Sequence, residues 1–227
     1  MPTNLHSFRF KVLIIHFVID YWTDVAKFIR RLFYMSKALI LIDYINDICH
    51  PDGKIAGCAK AISENNIVAK VNQLTSYARS EKWLVIWVKV AFSDNYIEAN
   101  SQSPIFSRAK QFGALQLKSW GSELLADLDY DSEELIIIKN AVNPFHATNL
   151  DYVLRLHNID EVFLAGVSTE VAIQSCTRDA HDRGYRVNVI GDCCASREPK
   201  FHQVSLDMLH IFANVTTSSQ VIDLNNN

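Results

Sequence analysis

From residue 37 onward, short and uniformly apolar runs alternate with longer stretches of helical period, and few folds accommodate that order. The runs are Ala38–Ile42, Trp83–Val90, Leu135–Ile138, Val162–Ala165, Val187–Ile190 and Ile211–Val215. Between them, helices are expected near Ala59–Arg79, Leu150–His157, Thr169–Arg183 and Lys200–Leu209. Runs of this length without polar alternation suit strands covered on both faces. Strands separated by helices join through right-handed crossovers into a parallel sheet. The expected fold is therefore α/β: three layers, with a mostly parallel six-stranded sheet between helices, in the manner of a Rossmann fold. Ala91–Leu128 is irregular and rich in Ser, Asn and aromatic residues, and reads as a loop-and-helix insertion over one end of the sheet.

Residues 1–34 stand apart. Ile15, Val18, Ile19, Trp22, Val25, Ala26, Ile29, Leu32 and Phe33 share one helical stripe, opposite a polar face. Five basic residues face two acidic ones in this segment. It is expected to be an N-terminal extension, either an amphipathic helix able to touch a membrane surface or partner, or a mis-assigned start ahead of Met35. The domain then spans 35–227. No apolar run reaches the roughly 18 residues that a membrane span needs. With 22 basic and 25 acidic residues the chain is weakly acidic, which argues against a nucleic-acid partner. Five cysteines form neither an even disulfide framework nor paired C-x-x-C motifs, so a reducing, cytoplasmic setting is expected.

In parallel open sheets, ligands bind beyond the carboxyl ends of the strands, near the reversal of strand order. Asp43 closes the first run, Lys139 the third, and Gly166-Val167-Ser168-Thr169 leads from the fourth into a helix. A carboxylate and an amine in one crevice would pair, and a helix start beside them presents backbone N–H groups to developing negative charge. Taken singly, Asp43 and Lys139 would each more often be ordinary loop polarity at a strand end; it is their joint placement beside the Gly-containing turn that brings a functional reading level with that one.

The strings Ala38-Leu39-Ile40-Leu41-Ile42-Asp43-Tyr44-Ile45-Asn46-Asp47, Ile138-Lys139-Asn140 and Ala165-Gly166-Val167-Ser168-Thr169-Glu170-Val171-Ala172 resemble the isochorismatase-like hydrolase superfamily, which includes cysteine hydrolases related to nicotinamidase. So does Cys176-Thr177-Arg178-Asp179-Ala180-His181-Asp182-Arg183-Gly184-Tyr185. The resemblance runs over about residues 37–222. It implies an Asp–Lys–Cys triad in which a thiolate at a helix start attacks an amide-like carbon. Asp43 and Lys139 match the first two positions, whereas Ala172 stands where the family has its cysteine. The resemblance also implies a cis peptide in the turn, at Val167–Ser168.

Cys176 lies one turn, ~5.4 Å, beyond Ala172 on the same helix face and is expected to pack as a small hydrophobe. Cys193 and Cys194 follow the fifth run, and Cys49 and Cys58 flank Pro51-Asp52-Gly53 incidentally. Three functions stay open. One is a hydrolase using the Asp43/Lys139 pair without a thiol, as the resemblance to isochorismatases implies, with Asp43 as general acid and the Ser168 and Ala172 N–H groups binding substrate. The second is an amide hydrolase using another thiol. The third is a non-catalytic binding or scaffold protein.

No histidine pair has metal-ligand spacing, and no Walker loop, dinucleotide glycine fingerprint or H-E-x-x-H helix occurs, so neither metal nor cofactor is expected. Arg108 and Lys110 are the cations best placed for a substrate carboxylate, with Trp120 and Phe145 as aromatic wall candidates and His146 as a further contact. The expected partners are a small-molecule substrate and, by resemblance, further copies of the chain.

Overall fold

All six apolar runs contribute strands to one sheet. The computed structural model describes residues 36–223, and the expected N-terminal extension lies outside them. The strands are β1 (Ser36–Ile42), β2 (Leu84–Val90), β3 (Leu135–Lys139), β4 (Ile159–Gly166), β5 (Arg186–Ile190) and β6 (Asn214–Thr216). They lie in the order β3-β2-β1-β4-β5-β6, and every neighbouring pair is parallel. The order reverses between β1 and β4, which opens the crevice that such sheets use for ligands.

Alternate residues of one strand feed two separate cores. Leu39 and Leu41 pack with Val85, Trp87, Phe163 and Ala165 beneath α2 (Ala59–Glu64) and α3 (Ile67–Ser80). Ala38, Ile40 and Ile42 pack with Ile86, Val88, Val162 and Leu164 beneath α5 (Leu150–Leu156), α6 (Gln174–Asp182) and α7 (Pro199–Leu209). This covering of both faces explains why β1 carries no polar alternation. Helix α3 shows the matching stripe, burying Ile67, Val71, Leu74 and Ala78. Ile67, Val71 and Leu74 each contribute roughly 1.5–3 kcal/mol when removed from water, and Ala78 less. Two short helices, α1 (Asn46–Cys49) and α8 (Ser218–Asp223), were not foreseen.

Three local expectations need correction. The stretch Ala59–Arg79 is two helices, because Asn66 adopts a left-handed conformation (φ +55°) that asparagine tolerates well. The final strand begins at Asn214 instead of Ile211, since the amides of Phe212 and Ala213 both bond back to Leu209 O and turn the chain. Ile211 is consequently exposed. The helix expected from Thr169 opens as a wide π turn (Thr169–Ile173), with Ile173 N–H bonded to Ser168 O at 3.3 Å, before α6 begins.

The irregular insertion contains α4 (Pro104–Gln111) and a small core of its own, where Phe92, Tyr96, Phe106, Ala109 and Leu115 pack on Ile45 and Val90. It forms one wall above the carboxyl edge of the sheet. At the switch point, Gly166 presses on β1: a Cβ there would lie 2.2 Å from Ile42 O, and its φ is +148°. Gly166→Ala is expected to cost about 3 kcal/mol through overpacking and backbone strain. The urea midpoint checks this, and an unchanged midpoint would contradict the close approach.

Candidate active site

Asp43 follows β1 in a left-handed conformation (φ +59°), and this turns its carboxylate toward the neighbouring strands. Oδ1 accepts the Val90 N–H at 2.7 Å, and Oδ2 accepts Lys139 Nζ at 2.8 Å. Lys139 Nζ also donates to Ala141 O at 3.1 Å. Both side chains are almost fully buried, at 4% and 1% exposure. Burial pushes the Asp43 carboxyl above its ordinary range, against the opposing pull of Lys139 and the Val90 N–H. Three adjacent strand ends thus assemble a buried acid–amine pair from residues far apart in sequence.

The pair lies at the floor of a cavity of about 430 Å³. Ser168 and Ala172 line it beside Asp43 and Lys139, from the turn after β4, where the Val167–Ser168 peptide is cis. Arg108 lines it from α4. The structure therefore brings five of the sequence-nominated residues, Asp43, Lys139, Ser168, Ala172 and Arg108, into one space. The other four lie elsewhere. Phe145 belongs to the core beneath β1, stacked 6.1 Å from Tyr185 with the Arg183 guanidinium over its ring. Trp120 borders a different hollow and meets His50 edge-on. Lys110 borders a third hollow, with Asn95 and Ser101, and His146 is exposed outside the cavity.

Cys176 does not line the cavity. It is fully buried with Ile173 and Ala180, and burial pushes its thiol upward, away from the thiolate form. Cys58, whose place beside the Pro51-Asp52-Gly53 turn looks incidental in the sequence, lines the cavity wall. It is only 2% exposed, and its thiol is pushed up to about 12. Neither cysteine has the electropositive, accessible setting of a reactive thiol.

The wall residues that sequence reasoning missed include Lys54, Glu170 and Arg197. Lys54 and Arg197 occupy the loops after β1 and β5, the same edge that singled out Asp43. Asp47 holds two of these walls together. Its buried carboxylate accepts the Lys54 N–H at 3.1 Å and the Leu115 N–H at 2.6 Å. Gly121 lies against it so closely that a Cβ would fall 2.1 Å from Asp47 Oδ2. Asp47→Ala leaves those donors unpaired and is expected to cost about 3 kcal/mol, measurable by chemical denaturation.

Among the described residues, no three His, Cys, Asp or Glu side chains come together as a set that could hold a metal, and no helix is long and apolar enough to cross a membrane.

Sheet order, switch-point crevice and buried acid–amine pair define an α/β protein of the isochorismatase-like class. Residues 37–220 match the isochorismatase domain family, and the chain belongs to it. Among solved structures it resembles an isochorismatase family protein from Desulfovibrio vulgaris subsp. vulgaris str. Hildenborough, with 23% identity, a TM-score of 0.75, and coverage of 86% of this chain and 100% of that one. N-carbamoylsarcosine amidase from Thermoplasma acidophilum matches at 23% identity and TM-score 0.64, covering 81% and 97% of the two chains. A nicotinamidase from Bacillus subtilis matches at 23% and 0.65, covering 80% and 99%. At these identities the structural matches speak to the fold.

Proposed function

We propose that the protein hydrolyses a small metabolite with Asp43 as general acid and Lys139 as its electrostatic partner, without a thiol nucleophile. The observation that carries this reading is the buried Asp43–Lys139 contact at the floor of a cavity whose wall presents Ala172. A carboxyl raised by burial holds a proton more readily than a solvated one, which suits delivery to a substrate atom. In this reading Asp43 protonates the unsaturated carbon of a vinyl-ether substrate, and water adds to the resulting oxocarbenium carbon and returns a proton to Asp43; the hemiketal so formed then collapses, its C–O bond breaking to release an alcohol and a carbonyl product. Lys139 stabilises the carboxylate in between. The Ser168 and Ala172 backbone helps to orient the substrate. The enzyme is proposed to work in the cytoplasm, where its five unpaired cysteines stay reduced, and as a homo-oligomer.

The test is a panel of vinyl ethers, amides and carbamoyl compounds given to the wild type, Asp43→Asn and Cys176→Ala. Hydrolysis retained within a few-fold by Cys176→Ala and lost in Asp43→Asn supports the reading. Hydrolysis lost in a folded Cys176→Ala protein would transfer it to a thiol mechanism. Tight ligand binding with no turnover of any compound would favour a binding protein.

A further inference from the structure

The charges lining the cavity are unevenly placed. Lys139 and Asp43 neutralise each other at the floor. Lys54, Arg108 and Arg197, by contrast, come from three separate segments to line the same space, and all three are exposed. Only Glu170 adds a further carboxylate to the lining, and it is engaged by the Ser196 hydroxyl. Lys54 Nζ donates to a neutral acceptor, Gly113 O, at 2.6 Å, so its charge stays uncancelled. The Arg108 guanidinium lies over the Phe112 ring, 5.7 Å from its centroid. Arg197 has Glu198 at 4.0 Å, with both side chains more than half exposed, and water screens such a pair heavily. A chain of net charge −3 therefore carries a cationic rim around a neutral floor. Such a concave, single-sign rim concentrates oppositely charged ligands. Between rim and floor the walls are apolar, through Ile48, Ile55, Phe106, Phe112, Leu115 and Val142.

We propose that the substrate is a carboxylate on an apolar body, bound with its anionic end against Arg108, Arg197 and Lys54 and its reacting group inward at Asp43. This deepens the hydrolase reading and rests on it for the claim that the cavity is the substrate site. Guanidinium groups suit the role because each can give a carboxylate two parallel hydrogen bonds. The opposite orientation would bring the anion to the Asp43 carboxylate and leave the rim cations unused.

The experiment is calorimetric binding of 3-phenylpropanoate and of its uncharged isostere 3-phenylpropanamide to the full chain, at low and high salt. Neither probe needs to react, so the result is independent of whether Asp43 transfers a proton. Wild type is expected to bind the carboxylate at least about tenfold more tightly than the amide, as charge-assisted bonds warrant, with the preference falling as salt rises. Arg108→Gln and Arg197→Gln are each expected to remove most of that preference, weakening the carboxylate several-fold more than the amide. Both side chains are exposed, so neither substitution threatens the fold. Equal affinity for the two probes, binding of neither at millimolar concentration, or equal weakening of both by the variants would overturn the proposal. Hydrolysis retained in Asp43→Asn would overturn the acid role and leave this binding ratio standing, and a failed binding ratio would leave the Asp43 test intact.

Discussion

Asp43→Asn is expected to lower kcat by about 10²–10⁴-fold, the usual contribution of a positioned acid, while KM changes little. The substitution isolates the proton because it disturbs little else. Asparagine adopts the left-handed backbone that position 43 requires (φ +59°), so the turn after β1 survives. Its amide oxygen can still accept from Val90 N–H or Lys139 Nζ, which now lie 2.7 and 2.8 Å from the two carboxylate oxygens. What disappears is the transferable proton and the negative charge beside Lys139. Steady-state kinetics on the best compound of the panel reads the effect. A rise confined to KM, with kcat unchanged, would mean that Asp43 binds substrate without transferring a proton.

The sheet was legible because of its burial. Ile40 and Leu41 point to opposite faces, yet both are fully buried, so β1 reads as a continuous apolar run. The edges were harder. Ile211 is apolar and opens the last run, but it is 77% exposed in the turn that precedes β6. Hydrophobicity reports what a side chain prefers, whereas the hydrogen bonds from Phe212 and Ala213 to Leu209 O decide where the chain turns. The helix break at Asn65-Asn66 has a local signal in its two asparagines, masked by a periodicity that continues on both sides.

Placement at the sheet edge was legible for the same topological reason. Asp43 and Lys139 are 96 positions apart, but parallel strands deliver both ends to one edge. Loop aromatics carry no such directional information. Phe145 and Trp120 follow comparable signals, and the direction of each ring depends on tertiary contacts with Tyr185 and His50. Lys54 was hidden for a related reason: its place on the rim depends on Asp47, which fixes the backbone of its loop from a different element.

Lys139→Met should produce the largest loss of stability, about 3–5 kcal/mol near neutral pH, because it leaves the buried Asp43 carboxylate without its counter-charge. For a domain of this size that corresponds to a melting temperature lower by roughly 6–20 °C. The deficit should depend on pH with a definite sign. Burial already raises the folded-state Asp43 pKa above its unfolded value of 3.8, and Lys139 opposes that rise. Removing Lys139 therefore raises it further. A carboxyl whose folded pKa is raised contributes stability below its unfolded pKa and loses it as pH climbs through the folded pKa. Between the folded pKa of the wild type and the higher one of the variant, only the variant keeps its proton in the folded state. Its deficit should then widen by up to about 1.4 kcal/mol per pH unit. Urea denaturation across pH 4–8 measures this. Asp43→Asn/Lys139→Met, which removes both charges, should recover much of the stability and flatten the pH dependence. A deficit that is constant with pH, or one left unrepaired in the double variant, would mean that Lys139 stabilises the protein by packing its stem and not by balancing Asp43.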